Sequence, residues 1–386
     1  MSRCLAPLAL ALLLWDSLSL TAQEADSQPI DFYVRLISQA QSEIDADKRI
    51  DAQATLNLTD KALRSFDFDY VSARARNSED GLSVNSSIRT LPKPEIEVRY
   101  AVLNQINRQV VYICRDGGIR LYDAQDPEGS NRTYSTPRQS AIWTGVFSHD
   151  GKIFLSGHQN GEVLVWDAKT WEIKHTVALD PEWPVRELVC APDGSAFVAE
   201  SKQELQLWSL ADKTPKKVAA VGDRYNFGEG LAFSPRGDKL ATGGMFDIQV
   251  RDAATGNILR SMTHASYTMG LQFSPDGQRI ASAPRGNVNR FLAVFDIDRD
   301  APLFNAGPFG NYIVGLAFTP DGKRIAATGC EKILRLFDAA TGRIVLTFKR
   351  PECGSNPAFS RDGQLLGWSE PDGFKYIELQ APTKPN

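Results

Sequence analysis

Gly270-Leu-Gln-Phe-Ser-Pro-Asp-Gly277 is an apolar stretch that runs straight into a tight turn. The pattern recurs as Gly230-Leu-Ala-Phe-Ser-Pro-Arg-Gly237 and Gly315-Leu-Ala-Phe-Thr-Pro-Asp-Gly322. Weaker copies are Thr144-Gly-Val-Phe-Ser-His-Asp-Gly151, Glu187-Leu-Val-Cys-Ala-Pro-Asp-Gly194 and Asn356-Pro-Ala-Phe-Ser-Arg-Asp-Gly363. Each reads as a buried strand ending in a hairpin turn. Downstream of each lies an alternating strand closed by a residue pair. The pairs are Tyr122-Asp123, Trp166-Asp167, Trp208-Ser209, Arg251-Asp252, Phe295-Asp296, Phe337-Asp338 and Tyr376-Ile377, spaced 39 to 44 residues apart. Seven such units, each with room for four short strands, predict an all-β fold, a seven-bladed β-propeller.

The ends of the repeat predict how the ring closes. The last copy stops at Glu378 without an outer strand, and residues 84–91, Val-Asn-Ser-Ser-Ile-Arg-Thr-Leu, can fill that place. One blade is then built from both ends of the domain, which removes an exposed sheet edge. The propeller is expected over 84–380, with a flexible tail at 381–386.

Upstream the texture changes. Met1-Ser-Arg-Cys carries one positive charge, and an unbroken apolar run follows from Leu5 to Trp15. Small and polar residues lead on to Ala22 and Ala25. That order predicts a secretory signal peptide over 1–25, and the run is too short to span a bilayer. No later segment is apolar enough to cross a membrane. The mature chain is therefore expected to be exported, periplasmic or secreted, without a transmembrane segment.

Residues 26–76 read as a short α-helical segment. Phe32, Tyr33, Leu36, Ile37, Ala40 and Ile44 have helical spacing, as do Ala52 and Leu56 after a polar break. A third stretch runs from Lys61 to Arg76, with Asp60 as a candidate N-cap. Residues 77–83 read as a linker. The order from Tyr33 through Ala40, then Ala52 and Leu56, resembles one tetratricopeptide-like unit. A lone unit cannot bury its own face, so it reads either as a cap on the next domain or as a partner-binding hairpin.

The chain has 386 residues, 43 Lys plus Arg and 47 Asp plus Glu. By count, residues 91–386 hold 34 acids and 34 bases. That balance argues against nucleic acid as a partner, since broad phosphate binding needs a basic surface.

The Phe-Ser-Pro-Asp-Gly turn, the Trp166-Asp167 pair and the Asp252-Ala-Ala-Thr-Gly256 and Asp338-Ala-Ala-Thr-Gly342 turns together resemble the WD-repeat family. The helical unit behind a signal peptide looks like extracytoplasmic bacterial members. The full Trp-Asp pair occurs once, and a Gly-His dipeptide before the inner strand is missing from most units. Both departures argue against the buried Asp-His-Ser-Trp network of many members.

The resemblance implies a top face made by the connections between blades and by the loops between the second and third strands. It places Arg115, Asp116, His158, Trp183, Arg224, Tyr225, Phe227, Met245, Phe246, Tyr267, Arg285, Phe309 and Arg350 on or near that face. Exposed aromatics and arginines anchor interfaces, although a single aromatic there can instead fill the wedge between blades. Two loop cysteines, Cys330 and Cys353, would open on the same face, and an exported protein can join them as a disulfide. Cys114 and Cys190 sit at apolar strand positions and read as core.

Catalytic signals are sparse. His149, His158, His175 and His264 fall in different blades without ligand spacing, and no metal site or cofactor is expected. The only ionisable cluster the repeat brings to the channel mouth is Asp116, His158, Glu331 and Glu370. Three functions stay open. The first is a non-catalytic scaffold that binds a protein or envelope partner through the top face. The second is a propeller that binds a small ligand or carbohydrate. The third is a hydrolase or lyase with its site at the channel mouth.

Overall fold

The computed structural model describes residues 28–46, 48–76, 88–126, 131–202, 204–223, 227–264, 267–285, 291–349 and 355–378. The signal peptide expected over 1–25, the linker at 77–83 and the tail at 381–386 lie outside the described residues.

Seven four-stranded antiparallel sheets form the blades of a propeller. We letter the strands of a blade a to d, from channel to rim. Blades 1 to 6 occupy 98–135, 142–178, 187–223, 227–263, 267–306 and 313–349 in turn. Blade 7 takes strands a to c from 355–378 and its fourth strand from Arg89–Thr90. Arg89 pairs opposite Tyr376 and Thr90 opposite Lys375. Leu91 N–H adds a bond to the Phe374 carbonyl, and its side chain is buried. The ring therefore closes from both ends of the chain.

Blade 1 locks this seam. The Tyr112 hydroxyl donates to the Leu91 carbonyl at 3.2 Å and accepts from Phe374 N–H at 3.0 Å. Arg108 bridges Glu378 and Asp362, both of blade 7. The Tyr112 side chain thus holds the N-terminal strand and the last hairpin together.

The repeated turn is explained by its own polar atoms. Ser148, Ser274, Thr319 and Ser360 each donate a hydroxyl hydrogen bond to the Asp two residues on. The same oxygens accept the backbone N–H of Ile153, Arg279, Arg324 and Leu365. The glycine that follows sits at φ near +70°, as at Gly151 (φ 70°) and Gly363 (φ 70°), where a side chain would strain the backbone. In the Asp-Ala-Ala-Thr-Gly turns, Asp252 and Asp338 each accept two backbone N–H groups and the Thr hydroxyl. Phe, Leu, Val and Ala from adjacent blades fill the wedges between sheets.

The helical segment comprises α1 (Gln28–Asp45), α2 (Arg49–Asn57), a 3-10 turn (Lys61–Leu63) and α3 (Phe66–Arg76). Asp60 caps the 3-10 turn through Ala62 N–H, not a third helix running from Lys61 to Arg76 as its position suggests. The reason is local: Arg64 leaves the helical region (φ −68°, ψ 139°), and a new helix begins at Phe66.

This segment packs on blades 6 and 7. Its buried Tyr33, Ile37, Leu56 and Val71 share one core with Leu336, Phe348 and Trp368. Phe66 meets Phe359 edge-on at 5.4 Å, and Tyr70 meets Phe348 at 5.1 Å. At the centre lies an ion pair removed from water. Arg324 Nε is 2.9 Å from Asp67 Oδ1, with the two side chains 1% and 0% exposed. The Tyr33 hydroxyl donates to the other Asp67 oxygen, and Arg324 also reaches Asp338 and the Leu63 carbonyl. Every donor in this cluster has an acceptor, as burial of charge requires.

Candidate functional site

The antiparallel ladders put the b-to-c loops and the blade-to-blade connections on one face, here called upper. The a-to-b and c-to-d turns lie on the opposite, lower face.

At the upper end, strand a carries a register slip in six blades: in blades 4 and 7 between Phe227 and Leu231 and between Ser355 and Ala358, and in blades 1, 2, 5 and 6 around one extra residue, between Val98 and Tyr100, Ile142 and Thr144, Thr268 and Gly270, and Ile313 and Gly315. The extra residues are Arg99, Trp143, Met269 and Val314. A bulge of this kind bends the strand and re-aims its side chain. In blades 1 and 2 the bulged residues meet: the Arg99 guanidinium carbon lies 3.7 Å from the centre of the Trp143 ring. Such stacking contributes on the order of 0.5–2 kcal/mol. Arg99 Nε is buried without a hydrogen-bond partner among the described residues. Burial first, and then the neighbouring Arg115 charge, lower the basicity of Arg99.

Around this pair stand several of the expected residues. Arg115 is exposed and pairs with Glu97 at 3.1 Å. Asp116 is held by Arg120 and by Gly118 N–H. Burial opposes its ionisation, but these donors outweigh it and keep the carboxyl below the ordinary range. Trp183 is half-buried, and its carbonyl accepts from the Ser201 hydroxyl. In blade 4 the b-to-c loop exposes Met245 and Phe246, the latter at 63%. Tyr267 is half-buried and stands opposite Arg285 in the blade 5 ladder. Phe227 pairs opposite Gly244. Arg224, Tyr225 and Arg350 lie outside the described residues.

Two expected face residues are inside. His158 is 1% exposed: its Nε2 bonds the Ser156 hydroxyl, Nδ1 bonds the Ser140 carbonyl, and Trp166 Nε1 donates to Ser156. Blade 2 therefore builds a Trp-Ser-His chain with its histidine at the end of strand b, a partial version of the network that the missing dipeptides argue against. Burial lowers the basicity of His158. Phe309 is 2% exposed and packs tilted against Phe337 in the wedge between blades 5 and 6, beneath Arg335. Its aromatic ring is the wedge filler.

The suspected ionisable cluster is not a shared site. Asp116 is committed to Arg120, His158 to Ser156, and buried Glu370 to Trp368 Nε1. Glu331 pairs with Arg335 at 2.6 Å and accepts Gly310 N–H. Each is tied within its own blade or the connection into it. Among the described residues, no three His, Cys, Asp or Glu side chains gather as a metal-binding group. Cys114 and Cys190 are free and buried, and burial pushes the Cys114 thiol up to about 11. Cys330 is disulfide-bonded, and Cys353 lies outside the described residues.

Sequence reading passed over Arg99, Trp143 and the exposed Tyr312 (41%). The signal was available for the first two. They occupy the same place in strand a, one residue after its start, where blade 6 has Val314.

Comparison with known proteins agrees with the geometry. The WD40 family model (WD domain, G-beta repeat) matches residues 130–167, the fourth strand of blade 1 and the first three strands of blade 2. The WD repeat-containing protein SL1-17 of Schistosoma mansoni is 29% identical over 166 residues, 41% of this chain and 52% of that protein. Cell division cycle 20.1, cofactor of APC complex, of Arabidopsis thaliana is 28% identical over 171 residues, 42% of this chain and 36% of that protein. The chain thus spans about half or less of these curated relatives. Among solved structures, the Cps50 (Swd1) β-propeller domain of Myceliophteria thermophila superposes with a TM-score of 0.64 at 17% identity, covering 76% of this chain and all of that domain. A chain of the Mitotic Checkpoint Complex gives 0.65 at 18%, covering 75% of this chain and 90% of that one. At such identities these likenesses speak for the fold. No helix among the described residues is long and apolar enough to cross a membrane.

Proposed function

We propose that this chain is a non-catalytic interaction scaffold that acts outside the cytoplasm and binds a protein or envelope partner through the upper face of its propeller. The observation that carries the reading is the pairing of bulged Arg99 with Trp143 at the channel mouth, on the face that also exposes Phe246 and Met245. Arginine and aromatic side chains dominate binding energy at interfaces, and loops on a rigid scaffold are where it is usually spent. WD40 propellers generally act as protein-interaction platforms, and the matched repeat supports that class here. The helical segment, tetratricopeptide-like in its residue order, serves as a brace on blades 6 and 7.

Export rests on the apolar run Leu5 to Trp15 and on the bonded Cys330. Non-reducing peptide mapping of protein from its native compartment is expected to recover Cys330 linked to Cys353. Recovery of both as free thiols would contradict an oxidising location.

The partner test compares the parent with a variant carrying Arg99→Ala, Trp183→Ala and Phe246→Ala, each used as bait in native envelope extract. A protein enriched by the parent should fall at least tenfold with the variant, since interface anchors contribute about 2 kcal/mol or more each. Equal enrichment by both folded baits would remove the upper face from the account.

A further inference from the structure

The ring also holds a cavity of about 750 Å3 that runs down its channel from Tyr100, Thr144 and Glu187 to the lower turns, within the usual size range of ligand sites. Val102, Val146 and Val189 are among its wall residues. Its rim takes one residue per blade, from the position two residues beyond the end of strand a. Blades 3 to 6 supply Pro192, Pro235, Pro275 and Pro320, which offer no side-chain donor. Blades 7, 1 and 2, which are neighbours, supply Arg361, Gln105 and His149. The rim is therefore polar on one side only.

No carboxylate bonds the side chains of that polar rim, and Glu187, an acid among the cavity's wall residues, belongs to blade 3 at the start of its strand a. Arg361 N–H donates to the Gln105 carbonyl at 2.8 Å, which fixes blade 7 beside blade 1. The nearby turn carboxylates are committed elsewhere. Asp150 accepts from Ser148 and Lys152, and Asp362 accepts from Ser360, Gln364 and Arg108. The side chains of Arg361, Gln105 and His149 make no hydrogen bond or ion pair with the described residues. His149 is near enough to Arg361 for that charge, after burial, to lower its basicity.

We propose that the lower channel binds a small aliphatic carboxylate, with its chain against the valine wall and its carboxylate on Arg361, joined by His149 and Gln105. A guanidinium matches a carboxylate through two parallel hydrogen bonds, so Arg361 supplies the recognition. The proline side repels no apolar chain and competes for no charge. This site is separate from the upper face, and neither proposal depends on the other.

The test is calorimetric titration of the full chain with sodium octanoate in chloride buffer, with 1-octanol as the uncharged analogue. Octanoate is expected to bind one per chain, at least tenfold tighter than 1-octanol. Arg361→Gln should abolish that margin while leaving 1-octanol binding unchanged. Arg361 is exposed, so its substitution should leave the melting temperature at the parent value, measured alongside. No binding of octanoate, equal binding of the two probes, or a margin that survives in Arg361→Gln would each overturn the proposal.

Discussion

Arg324→Met alone is expected to lower the folding stability of this chain by about 3–5 kcal/mol, the usual cost of stranding one member of a buried ion pair. The substitution leaves the Asp67 carboxylate at 0% exposure, with only the Tyr33 hydroxyl as a side-chain donor. It also strips donors from the Leu63 carbonyl and from Asp338. Asp67→Asn should cost less than Arg324→Met, because the amide keeps the shape and still presents an oxygen to Arg324. The double variant Asp67→Leu with Arg324→Met should recover part of the loss, since two apolar groups leave no orphan charge. Urea unfolding followed by far-ultraviolet circular dichroism checks the magnitude. Limited proteolysis checks the place: the helical segment should become cleavable before the blades do. A parent-like urea midpoint for Arg324→Met would contradict the view that this pair anchors the helices.

The second large effect is expected at the ring seam. Deleting residues 84–91 removes the fourth strand of blade 7 and exposes the edge of its third, with unpaired backbone groups along Phe374, Lys375 and Tyr376. Blade 7 then loses buried Leu91 and the anchor for Tyr112. Since each blade packs on its neighbours, the loss should propagate, and the whole propeller should melt at a lower temperature in one transition. Tyr112→Phe is the milder companion. It removes one donor and one acceptor and should cost about 1–3 kcal/mol, the penalty for leaving buried polar groups unsatisfied. Differential scanning calorimetry of parent, deletion and Tyr112→Phe gives the order. A deletion that melts like the parent would sink the closure.

Most of the fold was legible because its signals are local. The turn after each inner strand is built from Ser or Thr, Asp and Gly within five residues, so it shows in every copy that keeps them. The closing strand was legible by subtraction, since the last copy lacked one. The docking of the helices was not. Asp67 and Arg324 stand 257 positions apart, and neither has a neighbour in sequence that announces a buried partner. Asp60 misled for the opposite reason: a good cap residue served a 3-10 turn instead of a helix.

The candidate face was legible in outline and blurred in detail. Sequence put Phe246 and Phe309 on equal terms, yet one points to solvent and the other fills a wedge. The difference lies in whether the adjacent blade offers Phe337 and a covering Arg335, which is a three-dimensional fact. His158, expected on or near the upper face, ends strand b with its ring turned inward to Ser156. Arg99 and Trp143 share one place in the repeat, but the bulge that re-aims them there is a mismatch between two strands, invisible in either strand alone.

The central claim is that the upper face meets the partner. The most direct measurement is photo-crosslinking in native envelope, with a benzophenone amino acid placed at 246 on the upper face or at 259 on the rim, where Phe246 and Leu259 are both well exposed. The account predicts one dominant crosslinked protein from position 246, absent from position 259 and lost when Arg99→Ala and Trp183→Ala are added. The same product from both positions, or from 259 only, would contradict it.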